Sequence, residues 1–81
     1  MRATVLVRPK TGILDPQGQA VTSSLRKLGF DVGEARVGRL IDLNVDATAP
    51  DAARAEVERM CERLLANPLV ESYEIELGEG S

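Results

Sequence analysis

Several residue types that carry chemistry are missing or rare in this chain of 81 residues. It has no histidine and no tryptophan, and it has only one cysteine, Cys61. A single cysteine cannot form an internal disulfide, and without histidine the usual mixed Cys/His metal sites are excluded. The Asp and Glu residues lie mainly on predicted exposed faces, so nothing supports nucleophilic or acid–base catalysis. We therefore expect no catalytic residue, no metal and no cofactor in this chain.

Long apolar runs and a basic surface are missing as well. No stretch approaches the roughly 18 apolar residues that a membrane helix needs, and the N-terminus enters a strand pattern without the features of a signal peptide. The chain has 10 basic and 13 acidic residues, for a net charge of -3, whereas binding to nucleic-acid phosphates normally rests on a basic surface. The sequence thus predicts a cytoplasmic protein with no membrane partner and no nucleic-acid partner.

The residues that are present suffice for one small folded unit. The chain is 43% hydrophobic and 28% charged, which is typical of a globular protein. Because a chain this short buries only about 60% of the surface that its unfolded form exposes, a second core is excluded. We expect a single domain over residues 1–81. Association between copies would add stability that so small a core lacks.

Enrichment in β-branched and apolar residues predicts a strand over residues 3–8, and alternation of apolar and polar residues predicts strands over 40–45 and 69–77. Residues 32–37 are interpreted as a short strand between the first helix and the turn at Gly38. Apolar spacing of three and four predicts a first helix that starts at Asp15 and Pro16 and ends at Gly29, and a second helix after Pro50. The core face of the second helix is predicted to contain Val57, Met60, Cys61, Leu64 and Leu65. The order predicts an α+β fold, a two-layer ferredoxin-like βαββαβ arrangement with a four-stranded antiparallel sheet and two helices on one face.

The predicted sheet has a face that the helices leave open. If Val5, Val7, Ile41 and Leu43 point inward, Leu6 and Leu40 lie on the open face. Their neighbours there are polar, namely Thr4, Arg8, Asp42 and Asn44. This face must therefore tolerate water or find a partner.

Unrelated functions use this fold, so the residues must decide between them. A metallochaperone needs soft ligands in the loop after the first strand, and residues 9–14 contain no cysteine. An RNA-binding domain needs aromatic residues on the central strands, but the two aromatic residues, Phe30 and Tyr73, lie elsewhere. A small-molecule effector-binding module resembling ACT domains stays open as an alternative, because such modules bind ligands between copies with few diagnostic residues.

Two short segments contain the candidate contact residues. The loop from Lys10 to Asp15 includes bulky apolar residues whose exposure costs free energy unless a partner, or the domain itself, covers them. Asp15 also fits the start of a helix. The corner from Arg36 to Leu40 carries two arginines, a residue type favoured at interfaces, although a solvated hairpin corner is the simpler interpretation. The candidate subunit contacts are Lys10, Ile13, Leu14, Asp15, Arg36, Arg39 and Leu40.

The run Gly-Ile-Leu-Asp-Pro-Gln-Gly-Gln-Ala-Val at residues 12–21 resembles the signature segment of the PurS family, the small subunit of phosphoribosylformylglycinamidine synthase. Leu-Gly-Phe at 28–30, Val-Gly-Arg at 37–39 and Leu-Leu-Ala-Asn-Pro at 64–68 follow in the expected order. Glu71 and Tyr73 complete a resemblance that covers nearly the whole chain. The alanine-rich stretch at residues 47–55 departs from the pattern without touching a recognisable motif.

The resemblance implies a non-catalytic assembly subunit in de novo purine (IMP) biosynthesis. Such a chain brings a glutaminase subunit, which releases ammonia, together with a large ATP-dependent synthetase subunit. The chain itself would catalyse nothing, although it would be part of an ATP- and glutamine-dependent ligase complex. We expect a homodimer or a dimer of dimers in which the candidate contact residues and the open sheet face meet other subunits.

Overall fold

The structure, a computed structural model, describes residues 1–78, so the last three residues of the predicted 1–81 domain lie outside the described part. The strands are β1 (Arg2–Pro9), β2 (Arg39–Asn44) and β3 (Glu71–Gly78). The helices are α1 (Pro16–Lys27) and α2 (Pro50–Met60), and a π-helical turn (Cys61–Leu65) directly follows α2.

The sheet has β1 at its centre and pairs it antiparallel with β2 on one side and β3 on the other. Val5 of β1 lies opposite Ile41 of β2 and Ile75 of β3, so these three side chains share one face. Val5 and Val7 are almost completely buried, at 0% and 1% exposure. The predicted division of the strands into an inner and an outer face is confirmed.

The prediction of a four-stranded sheet was wrong, because residues 32–37 form no strand. This segment runs beside α1, whose side chains and capping residue bind its backbone. Arg26 donates to the carbonyls of residues 32 and 33 at 3.2 and 2.9 Å. The Thr22 hydroxyl and the Asp15 carboxylate accept from the amides of residues 35 and 37 at 2.8 and 2.9 Å. Backbone groups that would have formed a strand ladder are thus bonded to side chains instead.

The prediction that both helices cover one sheet face was wrong for α1. Only α2 packs on the sheet, against β3, while no residue of α1 belongs to the hydrophobic core. Residues 10–38, which we call the arm, leave β1 and enter β2 at the same end of the sheet. The radius of gyration is 15.8 Å, compared with about 12 Å for a compact chain of this length. The arm therefore extends the molecule, whose dimensions are 48 × 28 × 14 Å.

The helix α2 covers the core as predicted, except at its end. Val57 and Cys61 are fully buried. The turn that follows is π-helical, and the amide of Ala66 donates to the carbonyl of Cys61, five residues earlier, at 3.1 Å. The wider turn changes the phase of the helix, so Leu64, predicted in the core, is 82% exposed, while Leu65 is half-buried.

Candidate functional site

The candidate contact residues lie at the end of the sheet where β1 ends and where β2 and β3 begin. Three segments meet there, residues 10–15, 36–40 and 65–71, and we call them together the corner surface. The Lys10 amide donates to the Val70 carbonyl at 2.8 Å, and its Nζ donates to the Pro68 carbonyl at 2.7 Å. The structure therefore brings the two predicted contact segments together and adds a third, the turn before β3.

An ion pair clamps this corner. Arg39 donates from Nη1 and Nη2 to the two carboxylate oxygens of Glu71 at 2.7 and 3.0 Å, and from Nη2 to the Leu65 carbonyl at 2.7 Å. The Asn67 amide donates to the same carboxylate at 2.7 Å. These donors lower the pKa of Glu71, first through Arg39 and then through the Asn67 amide, and the same bond raises the pKa of Arg39. A bidentate pair of this kind fixes the orientation of both side chains.

Glu71 belongs to the corner surface, although the sequence analysis named it only for the family resemblance and not among the candidate contacts. Arg39 shares its strand parity with Ile41, and Glu71 shares its parity with Tyr73, so both charges lie on the core side of the sheet. A charge at the end of an apolar face needs a partner of opposite sign. That parity was the available signal for the pair.

Asp15 joins the arm internally rather than facing solvent as a free contact. It is the N-cap of α1, accepting from the Gly18 amide at 3.0 Å, and its other oxygen accepts from the Val37 amide at 2.9 Å. These two backbone donors, Val37 first, lower the pKa of Asp15, and the positive charge of Arg36 lowers it further. One carboxylate thus links the start of α1 to the segment that returns to β2.

Gly18 is required by this arrangement. A Cβ atom at this position would meet the Asp15 carboxylate, and it would lie 2.5 Å from the Ala35 carbonyl oxygen. Gly18 is also the only buried residue of α1. The glycine therefore lets the return segment approach the first turn of the helix closely.

Exposed apolar side chains lie at the same end of the sheet as the clamp. Leu14 is 70% exposed, Leu40 is 58% exposed, and Leu69, which the sequence reasoning did not single out, is 82% exposed. Ile13 is less exposed and lines a groove of about 270 Å³ together with Leu14, Asp15, Arg39 and Glu71. A second groove of about 530 Å³, lined by Arg36, Arg39 and Leu40 among others, lies beside it. Apolar anchors beside arginines are typical of protein–protein interfaces.

The open sheet face is polar and largely paired within the chain. Thr4 donates to Asp42 at 2.8 Å, and Arg8 donates to Glu74 at 3.1 Å. Exposed hydrogen bonds and ion pairs of this kind contribute little to stability. Their polar groups make this face compatible with contact to water. Leu40 is the apolar residue that this face shares with the corner surface.

Two other kinds of site, a metal centre and a membrane span, are missing from the described residues. In residues 1–78, no group of three or more His, Cys, Asp or Glu side chains lies together in a way that could hold a metal ion. Over the same range, no helix has both the length and the apolar character needed to cross a membrane. The corner surface thus combines exposed apolar side chains with an ion pair whose orientation is fixed.

The fold defines a class, namely small ferredoxin-like α+β proteins, here with a three-stranded antiparallel sheet and two helices. Residues 2–79 match the family described as PurS: Phosphoribosylformylglycinamidine (FGAM) synthase. The chain belongs to the PurS family. The resemblance inferred from residues 12–21 and the later motifs is confirmed.

Individual relatives agree with the family match. The PurS subunit of phosphoribosylformylglycinamidine synthase from Methanocaldococcus jannaschii is 38% identical over 77 residues, covering 94% of this chain and 93% of the relative. The solved PurS subunit from Thermotoga maritima is 34% identical, with a TM-score of 0.85, covering 93% of this chain and 87% of that one. A chain in the structure of PurLQS from Thermotoga maritima is 34% identical, with a TM-score of 0.84 and 93% coverage of both chains. The predicted function, a subunit of FGAM synthase in purine biosynthesis, is confirmed, and the effector-binding alternative is not favoured.

Proposed function

We propose that this chain is a non-catalytic assembly subunit that holds a glutaminase subunit and an ATP-dependent synthetase subunit of FGAM synthase together, so that ammonia passes between them. The observation that carries the proposal is the corner surface, where Leu14, Leu40 and Leu69 are exposed at the same end of the sheet as the Arg39–Glu71 clamp. The similarity of this chain to a chain in the structure of PurLQS from Thermotoga maritima supports the same role.

The physical argument rests on exposed apolar area and on rigidity. Covering a leucine that is 70% exposed, such as Leu14, is worth about 1–2 kcal/mol to a complex, from the roughly 1.5–3 kcal/mol for full burial. Association also loses free energy when flexible side chains are ordered. The bidentate Arg39–Glu71 pair and the Asp15 cap are already ordered in the free chain. The corner is thus prepared for binding before a partner arrives.

The proposal includes pairing of the chain with itself, as a homodimer or a dimer of dimers, and a cytoplasmic location with no nucleic-acid partner. The extended arm supports pairing, because it leaves apolar side chains such as Leu28, at 73% exposure, uncovered. Such exposure in a small domain is relieved by association between copies.

The test replaces Ile13 and Leu14 together with serine and measures two quantities. We expect capture of the glutaminase and synthetase subunits by the tagged chain to fall at least tenfold, and glutamine-dependent synthesis to fall while ammonia-dependent synthesis is kept. The free energy of unfolding should fall by less than about 1 kcal/mol in Leu14→Ser alone, since Leu14 is 70% exposed, whereas the double variant should lose more because Ile13 is only 40% exposed. Leu64→Ser, at a side chain that is 82% exposed and outside the corner surface, is the matched control and should change neither.

Two results would contradict the proposal. Equal losses of capture and of stability in the double variant would show that these side chains belong to the core. Normal glutamine-dependent synthesis by the larger subunits without this chain would remove the assembly role altogether.

A further inference from the structure

A groove of about 730 Å³ lies within the arm, between α1 and the segment that returns to β2, and we call it the arm groove. One wall is a single face of α1, whose members recur at helical spacing, namely Gln19, Thr22, Ser23, Arg26 and Lys27. The other wall is residues 33–36, and residues 10–13 line the groove as well. Small-molecule sites are concave and occupy about 300–1,000 Å³. The arm groove therefore has the size of a small-ligand site and is formed by one chain.

Hydrogen bonds fix the two walls of the arm groove to each other. Arg26 donates from Nε to the Val32 carbonyl at 3.2 Å and from Nη2 to the Gly33 carbonyl at 2.9 Å. Nearer the start of the helix, the Thr22 hydroxyl accepts from the Ala35 amide at 2.8 Å. A site that is ordered before its ligand arrives loses less free energy on binding. The arm groove is therefore preformed in the free chain.

The arm groove concentrates positive charge in an acidic protein. Its lining has four cationic and two anionic side chains, for a net charge of +2, namely Lys10, Arg26, Lys27, Arg36, Asp15 and Glu34. The whole chain has a net charge of -3, so the residues outside the groove carry -5. One of the two carboxylates is already bonded, because the Asp15 oxygens accept from the amides of Gly18 and Val37. A concave surface with an excess of one charge attracts ligands of the opposite charge.

The donors that the fold leaves free in the arm groove suit a phosphate group. Within residues 1–78, neither Lys27 nor Arg36 takes part in an ion pair, and both side chains are exposed. The charge of Arg36 lowers the pKa of Asp15 without an ion pair between them. The hydroxyls of Thr11 and Ser23 line the same groove. Ammonium, guanidinium and hydroxyl groups all donate to phosphate oxygens, and an arginine can bind two of these oxygens at once.

We propose that the arm groove binds a small ligand through its phosphate groups, with Lys27 and Arg36 as the principal contacts. Among the described residues that line the groove, none is aromatic, so a nucleobase finds no side chain on which to stack. The phosphate groups are therefore the part of the ligand that the groove recognises. Inorganic phosphate, pyrophosphate and sugar phosphates share this chemistry.

The arm groove lies on the side of α1 that is opposite to its apolar residues. Those residues are Val21, Leu25 and Leu28, and they point away from the face that carries Thr22 and Arg26. A protein surface that covers the apolar residues of α1 thus leaves the groove open. Binding of a phosphate ligand does not compete with such a contact.

The first experiment locates the site by nuclear magnetic resonance, using the isotope-labelled full chain and pyrophosphate as the probe. Sodium chloride at the same ionic strength is the blank. We expect saturable shifts of the amide signals of residues 11–13, 22–27 and 33–36, which surround the groove. Saturable shifts confined to the sheet or to α2 would contradict the proposed site.

The second experiment compares the dissociation constants of charge variants for pyrophosphate. Lys27→Gln and Arg36→Gln should each raise the constant about tenfold, because each removes a hydrogen bond between charged groups. Glu34→Gln removes a carboxylate from the groove and should lower the constant about two- to fivefold. Arg63→Gln removes the same charge as Arg36→Gln at a position outside the groove, so it is the matched control and should leave the constant unchanged. All four side chains are exposed, so we expect the variants to fold normally.

Three further probes distinguish the possible sources of the phosphate group, namely inorganic phosphate, ribose 5-phosphate and AMP. Pyrophosphate should bind more tightly than inorganic phosphate, because it carries more negative charge. We expect AMP and ribose 5-phosphate to bind equally, since they share a phosphate and the groove offers no stacking surface for the base. Binding of AMP more than tenfold tighter than ribose 5-phosphate would contradict recognition through the phosphate alone.

Three other results would overturn the site. These are the absence of saturable shifts with all four probes, an equal rise of the dissociation constant in Arg36→Gln and Arg63→Gln, or tighter binding of a poly-glutamate peptide than of pyrophosphate. The last result would assign the groove to an acidic protein segment. None of them affects the assembly role, which is tested with the glutaminase and synthetase subunits present. Loss of the assembly role would in turn leave the binding result intact.

Discussion

Gly18 provides the sharpest test of the packing within the arm. For its replacement by alanine, the usual rule for helices and the structure predict changes of opposite sign in the free energy of unfolding. Alanine in place of glycine inside a helix normally stabilises a protein by about 0.5–1 kcal/mol, since glycine loses more backbone freedom on folding. At position 18 the added Cβ would meet the Asp15 carboxylate and would lie 2.5 Å from the Ala35 carbonyl oxygen. We therefore expect Gly18→Ala to destabilise the protein.

The expected size of the destabilisation follows from two effects that lower stability and one that raises it. Forcing an extra methyl group into a packed site costs about 1–3 kcal/mol. Displacing the Asp15 carboxylate weakens the N-cap of α1, which is worth about 1 kcal/mol. Subtracting the propensity gain of about 1 kcal/mol leaves a net destabilisation of about 1–3 kcal/mol. This loss is well outside the error of a denaturation measurement.

The assay is urea unfolding followed by circular dichroism, at one protein concentration for all variants because pairing makes stability depend on concentration. Gly33→Ala is the matched control. No atom lies within 4 Å of the position where its Cβ would be, and its φ is outside the left-handed region. This variant should be neutral or stabilise by about 0.4–1 kcal/mol through the unfolded state. Equal stabilisation by the two variants would refute the close approach at Gly18.

Two further predictions concern ionisable groups. The pKa values of Asp15 and Glu71 lie below their ordinary values of 3.8 and 4.5; their stabilisation is therefore fully present above those ordinary values and is lost as the pH falls through the lowered ones. Urea stability should accordingly decline below about pH 4.5, and Glu71→Gln should remove part of that decline, whereas parallel pH profiles for the two proteins would contradict the clamp. Burial raises the pKa of the Cys61 thiol, with Glu62 and Glu58 adding to the effect, so a thiol reagent at neutral pH should react far more slowly with folded than with urea-unfolded protein; prompt reaction of the folded protein would show that this part of the core opens readily.

Local patterns were sufficient to predict which face of β1 and of α2 is buried in the core. The alternation in β1 placed Val5 and Val7 inward, and the helical spacing in α2 placed Val57 and Cys61 in the core. Both predictions depend only on the period of the element. Leu64 broke the pattern because the π-helical turn adds a residue to the helix repeat, and nothing in the spacing of apolar residues announces such a turn.

The prediction of a fourth strand was wrong for a different reason. The valines at residues 32 and 37 express a preference for extended backbone, but they do not identify the hydrogen-bonding partner. In the structure the partners are side chains, from Arg26, Thr22 and Asp15, which each look ordinary in the sequence. Asp15 was recognised as a cap, whereas its second bond to Val37 depends on tertiary geometry that a local pattern does not contain.

The candidate site could be predicted as two segments but not as one surface. Lys10 and Arg39 are 29 positions apart in the sequence, and each is joined to the same turn, Lys10 through Pro68 and Arg39 through Glu71. That turn was missed because residues 64–68 were used only for the family resemblance and not considered as a contact segment. Only strand parity, which puts Arg39 and Glu71 on one side of the sheet, pointed toward the connection.

The apolar residues of α1, Val21, Leu25 and Leu28, form a stripe that connects these two results. Their spacing predicts a helix face that other apolar side chains should cover, but it does not specify whether the same chain or a second copy supplies those side chains. Lys10 holds the start of the arm, and Asp15 holds its end through the bond to Val37. The same residues belong to the corner surface. If a second copy covers the stripe, pairing therefore acts on the same bonded segments that position Ile13 and Leu14. Self-pairing and the presentation of the corner to larger subunits then become one structural event, because the arm cannot shift without moving the loop that carries those two side chains.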